Sequence, residues 1–110
     1  MMTSDPLAPV HPGEILREEF LVPLGMTPYA LAKACRVPRT RIERVVNESA
    51  PVTPDTALRL ARYFGTTPQF WLSIQARYDV DMTLRSTGAE IEAIRPRESS
   101  FGVTSDAARC

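Results

Sequence analysis

TPYALAKACRVPRTRIERVVN, residues Thr27 to Asn47, is the stretch on which the fold turns. Thr27-Pro28 reads as a helix start. The threonine hydroxyl can accept from a free backbone N–H, and proline has no N–H to leave unpaired in the first turn. Leu31, Ala32 and Cys35 then fall on one apolar stripe, with Ala32 small enough for a second helix to cross closely. Cys35-Arg36-Val37 breaks the pattern and Pro38 restarts it. A residue before proline avoids the α region, so Val37 marks a turn, and its apolar side chain belongs under the corner. In the second helix, Pro38 to Asn47, Ile42, Val45 and Val46 share one face; Thr40, Glu43, Arg44 and Asn47 share the opposite one. Two short helices joined steeply by a tight turn make a helix-turn-helix, whose second helix enters the DNA major groove by its N-terminal end.

Charge supports that reading locally rather than globally. The chain has 110 residues, with 13 Lys+Arg against 13 Asp+Glu, and is formally neutral. Between Lys33 and Glu48, however, Lys33, Arg36, Arg39, Arg41 and Arg44 face only Glu43 and Glu48. A neutral protein with one basic face still tracks phosphates. Arginine's planar fork matches guanine O6 and N7, asparagine matches adenine, and threonine serves several base edges or a phosphate. Arg39, Thr40 and Arg44 are therefore the candidate base readers. Arg41, Lys33 and Asn47 are candidate phosphate contacts, with Pro38 opening the helix that carries the readers and Ser49 a weaker candidate beyond it. Thr27 adds a backbone phosphate contact at the start of the preceding helix. The competing reading is a solvated helix face on an ordinary bundle.

The rest of the chain reads as support. Residues 1–10 hold Pro6 and Pro9 and little periodicity, and are expected to be a flexible arm. Glu14 to Val22 is a first helix, with Leu16 and Phe20 inward, Glu14, Glu18 and Glu19 outward, and His11 packing or capping before it. Pro23 to Met26 is expected to be a short loop that returns Leu24 and Met26 to the core. Thr53-Pro54-Asp55 repeats the threonine cap and first-turn proline, and adds an acid that suits a helix N-terminus. That helix runs to Phe64, buries Ala57, Leu60, Ala61 and Phe64, and stops at Gly65 as a left-handed C-terminal glycine would. Thr67-Pro68 caps a fifth helix expected to end near Val80, with Phe70, Trp71, Ile74 and Tyr78 as its apolar residues. Trp71 is assigned to the core and part of this helix to a dimer face. Ala89 to Ile94 is expected to form a separate helical turn docked weakly by Ile91 and Ile94. Residues 98–110 are expected to be disordered, or to order on a protein partner. The domain assignment is thus an arm at 1–10, an all-α helix-turn-helix domain at 11–85 and a short, partly disordered C-terminal segment at 86–110.

Composition narrows the function classes. No apolar run approaches membrane length and no basic-then-apolar leader opens the chain, so a cytoplasmic protein without membrane contact is expected. Cys35 is assigned to the core and Cys110 to a free thiol; neither has metal-ligand spacing with His11, the sole histidine, and no metal or cofactor is expected. Asp79 and Asp81 read as a solvated helix end. No nucleophile sits in a base-and-orienter set and no glycine loop cradles phosphate, so an enzyme is not expected.

Residues 11–80 also carry a family resemblance. HPGEILREEF, VPRTRI, DTALRLAR and FWLSIQARYD stand in the order and places found in HigA-type antitoxins, the plasmid-maintenance antidote class of Xre helix-turn-helix proteins. The resemblance implies a compact five-helix, lambda-repressor-like domain and a homodimer formed through the C-terminal helical region. It also implies palindromic operator DNA as one partner and, as the other, a HigB-like messenger-RNA endonuclease toxin that the antitoxin neutralises while repressing their shared operon. A stand-alone Xre-type regulator without a toxin is the alternative, and a protein-binding scaffold is a third. One departure is Arg36, which stands where many helix-turn-helix proteins place glycine. A side chain there costs about 1 kcal/mol if φ is positive.

Overall fold

A computed structural model describes residues 8–98, which form five helices and no strand. The expectations for residues 1–7, for residues 99–110 and for the Cys110 thiol lie outside the described residues. Helix α1 has three continuous parts: an α-helical turn Pro12–Ile15, a π-helical stretch Leu16–Leu21 and a closing turn Val22–Leu24. It is followed by α2, Pro28–Cys35; α3, Arg39–Val46; α4, Pro54–Phe64; and α5, Pro68–Glu92.

Three of these helices begin in the same way. The hydroxyls of Thr27, Thr53 and Thr67 accept from the backbone N–H of Ala30, Thr56 and Phe70 at 3.0, 3.3 and 3.1 Å. A proline in the next position completes each start. His11 caps α1 instead, its Nδ1 accepting from Gly13 N at 2.8 Å. Gly25 and Gly65 close α1 and α4 at φ 63° and 78°. Pro38, by contrast, is extended and precedes α3 rather than forming its first turn.

The core is one cluster. Leu16 of α1, Leu31 of α2, Ile42 and Val45 of α3, Leu60 of α4 and Trp71 of α5 are all fully enclosed. Trp71 donates its indole N–H to Thr66 Oγ1 at 2.8 Å, which satisfies the polar end of a buried ring. Phe20, Phe64 and Phe70 surround it at centroid separations of 5.1, 6.5 and 5.0 Å. Cys35 is buried, and burial pushes its thiol pKa up.

Three expectations need correction. Pro23 and Leu24 are helical, and Leu24 is exposed; of the pair Leu24 and Met26, only Met26 packs on the core. Proline has no N–H for the carbonyl four residues back, and its ring crowds that carbonyl. The helix widens around this point, Val22 N bonding to Arg17 O five residues earlier. Next, α5 does not end near Val80 but continues to Glu92, so Asp79 and Asp81 lie inside it. Last, Ile91 and Ile94 do not dock on the domain and are exposed. Val80, Leu84, Thr87 and Ile91 recur every four and three residues, with Ile94 three further on, which is the spacing of an a/d seam.

Candidate nucleic-acid interface

The reading helix α3 is gripped from behind. Ile42, Val45 and Val46 are buried. Gly13 of α1 lies so close that a Cβ added there would stand 1.8 Å from the Val45 carbonyl oxygen. Arg17 Nη1 donates to Val46 O at 2.7 Å, capping the end of α3, and Arg17 pairs with Glu48 at 3.3 Å. A hydrogen bond to Glu18 at 2.9 Å, and then the one to Glu48, raise the Arg17 pKa against the opposing effect of burial. Glu48 holds φ 63° and Ser49 N bonds back to Arg44 O at 2.8 Å, the wrap of a left-handed helix terminus. The following loop is pinned by Gln75 of α5, whose Oε1 accepts from Val52 N at 2.7 Å and whose amide nitrogen donates to Asp79 at 3.0 Å.

The front of α3 is open. Pro38, Arg39, Thr40, Arg44 and Asn47 are exposed. Arg39 pairs with Glu43 at 3.3 Å, yet its side chain keeps 59% exposure, and its guanidinium carbon stands 5.9 Å from the Tyr29 ring centroid. Arg44 and Lys33 have no ion pair among the described residues. Thr27 is exposed beside Tyr29 at the start of α2, its hydroxyl already used as a cap acceptor but still a donor. Thr40 and Arg44 line a groove of about 500 Å³ between the beginnings of α3 and α4.

Arg41 differs from its neighbours. It is half-buried, and its Nη1 is bound by Asp55 of α4. Asp55 also accepts from Arg59 Nε at 2.9 Å, while Arg59 Nη1 donates to Cys35 O at 2.8 Å and Arg36 O at 3.4 Å. Arg59, then Arg41, hold the Asp55 carboxyl below the ordinary carboxylate range. Arg36 adopts φ 60°, so the corner takes the left-handed geometry with a side chain in place of glycine. Arg59 on the corner carbonyls is part of what holds it there.

The comparisons with known proteins agree with this geometry. The Helix-turn-helix family model matches residues 16–71. Virulence-associated protein I of Dichelobacter nodosus is 55% identical over 73 residues, 66% of this chain and 68% of that protein. Antitoxin HigA-1 of Vibrio cholerae is 39% identical over 88 residues, 80% of this chain and 83% of its own length. The chain belongs to the HigA-type antitoxins of the helix-turn-helix family. A solved structure of Pseudomonas aeruginosa antitoxin HigA with higBA promoter matches with a TM-score of 0.79 at 40% identity, covering 82% of this chain and 99% of that one. The family is one of helix-turn-helix antitoxins and regulators rather than of enzymes, and no helix among the described residues is long and apolar enough to cross a membrane.

Of the nine candidates read from the sequence of this HigA-type chain, eight are exposed and Arg41 is half-buried; the residues that position them were not among those candidates. Asp55 and Arg59 stand four apart on α4, a spacing that signals an ion pair. Their link to Arg41 crosses between helices and leaves no such trace. Gly13, Arg17 and Gln75 act across 29 or more residues in two cases and 23 in the third, distances over which periodicity carries no information.

Proposed function

We propose that this protein is a sequence-specific DNA-binding antitoxin of a type II toxin–antitoxin system. It acts in the cytoplasm as a homodimer that neutralises a HigB-like messenger-RNA endonuclease and represses its own operon. The observation that carries the DNA half is the exposed face of α3, where Arg39, Thr40 and Arg44 project from a helix whose opposite face is buried. These three read base edges, while Lys33 and Asn47, with Thr27 at the start of α2, contact phosphates. The relative from P. aeruginosa, solved with the higBA promoter, supports DNA as a partner. Two copies related by a two-fold axis would set their α3 helices in successive major grooves about 34–36 Å apart, and so read a palindrome. The unpartnered a/d spacing of α5 supports the second copy: Val80, Leu84 and Ile91 are 55%, 54% and 46% exposed on a helix that has left the domain core. The toxin half rests on family membership.

Footprinting on the chain's own promoter, with and without the product of the neighbouring gene, tests both halves. Protection of a palindrome that the neighbour's product strengthens or shifts is the expected result. Protection unaffected by any neighbouring product would leave a stand-alone regulator. Absence of protection at low salt would sink the DNA reading itself.

A further inference from the structure

The arginines of α3 are not equivalent. Arg44 has no carboxylate partner among the described residues, and the only carboxylate that pairs with Arg39 there is Glu43 of its own helix. Arg41 is held by a carboxylate from another element. That carboxylate is fixed: Asp55 lies in the first turn of α4, behind the Thr53 cap and Pro54, and shares its oxygen with Arg59. Arg59 is itself anchored on the carbonyls of Cys35 and Arg36. The result is a chain of contacts from the corner of the helix-turn-helix to the flank of the reading helix. Arg41 and Asp55 line the same groove as Thr40 and Arg44.

We propose that Asp55 is a specificity-determining residue that withholds Arg41 from DNA phosphate. The inference rests on the DNA-binding reading above and goes beyond it. Binding to DNA of any sequence counts the cations that can release counterions, whatever the bases. A phosphate that approaches Arg41 meets the Asp55 carboxylate on the same guanidinium, so Arg41 is subtracted from that count. Base reading falls to Arg39, Thr40 and Arg44, which Asp55 does not touch. The built-in carboxylate therefore lowers affinity for unrelated sequence while leaving the readers in place.

The test is the salt dependence of binding to an unrelated duplex and to a duplex of the chain's own promoter, by fluorescence anisotropy on the full chain. Asp55→Asn should steepen the slope of log K against log salt on unrelated DNA by about 0.9, one phosphate contact, and raise that affinity about five-fold near 0.15 M salt. The promoter-to-unrelated ratio should fall accordingly. Asp55→Ala, which removes the acceptor altogether, should do the same if Asp55→Asn disturbs the start of α4. Arg41→Gln alone should leave the wild-type slope unchanged, and in that background Asp55→Asn should add nothing. A slope that drops by about 0.9 in Arg41→Gln would show Arg41 already on phosphate and overturn the proposal. An equal rise for Asp55→Asn with and without Arg41 would reduce Asp55 to a repulsive charge and overturn it too. Wild-type protein that binds neither duplex would instead overturn the DNA-binding reading on which all of this stands.

Discussion

Arg44 is the arginine on α3 from which a base contact is easiest to make, because it has no ion pair to break among the described residues. Arg44→Ala is expected to weaken promoter binding by about 1–3 kcal/mol and unrelated-duplex binding by much less. Equal losses in the two titrations would assign Arg44 to phosphate. His11 is a second residue whose state can be read directly. It is buried against the Tyr78 ring at a centroid distance of 4.8 Å, with Nδ1 accepting from Gly13 N. Burial holds its pKa below the ordinary value of 6.5, outweighing Glu48 and Asp79, which favour the charged form together with the Ala50 backbone, while Arg17 opposes it. The folded state therefore binds a proton less readily than the unfolded chain. Stability from His11 is full above about pH 6.5 and is lost as pH falls through the folded pKa. Protonation also removes the Nδ1 acceptor and uncaps α1. Urea titrations at pH 7.5 and 5.5 should show the wild type losing more stability than His11→Asn, which keeps a capping acceptor without the charge. Parallel losses would mean that other groups carry the pH dependence.

At the scale of elements, α1 and α3 meet backbone to backbone, and this contact sets where the reading helix stands. Gly13→Ala would drive a methyl into the Val45 carbonyl, for which no side-chain rotation gives relief. We expect a loss of about 1–3 kcal/mol in urea denaturation, with weaker promoter binding from the displaced α3. A wild-type midpoint would mean that α1 slides without cost. The elements themselves were largely legible: Thr27, Thr53 and Thr67 before proline, and Gly65 behind α4, are local signals that local structure obeys. The reach of α5 was not. From Ser86 the composition shifts towards Ser and Gly, but Ser86 and Thr87 donate their hydroxyls to Thr83 O within the helix, at 3.2 and 3.0 Å. Those groups are satisfied without ending it. Pro23 misled in the same way, since a π-helical stretch absorbs the proline that normally stops a helix. Of the interface, the outward residues could be read because they need only helical spacing. Asp55 as the keeper of Arg41 could not, because that pairing exists only once α3 and α4 have packed.

The described part of the molecule measures 55 × 28 × 21 Å, elongated for a small domain. Its α5 combines a half seated under Trp71 and Gln75 with a half whose apolar residues meet solvent. Leu84→Glu with Ile91→Glu should convert a dimer into a monomer in sedimentation, leave the helical core folded, and weaken binding to the palindrome far more than to a single half-site. A double variant that still sediments as a dimer would move the interface elsewhere. The continuity of α5 carries one more consequence. A helix of 25 residues is about 37 Å long at about 1.5 Å per residue, and it has no hinge between its anchored and its free half. In a dimer built on the free half it behaves like the beam of a caliper. Slipping one copy by a heptad would open or close the jaws by about 10 Å, the length of roughly three base-pair steps, so the gap tolerated between operator arms is written into where two rods lock together.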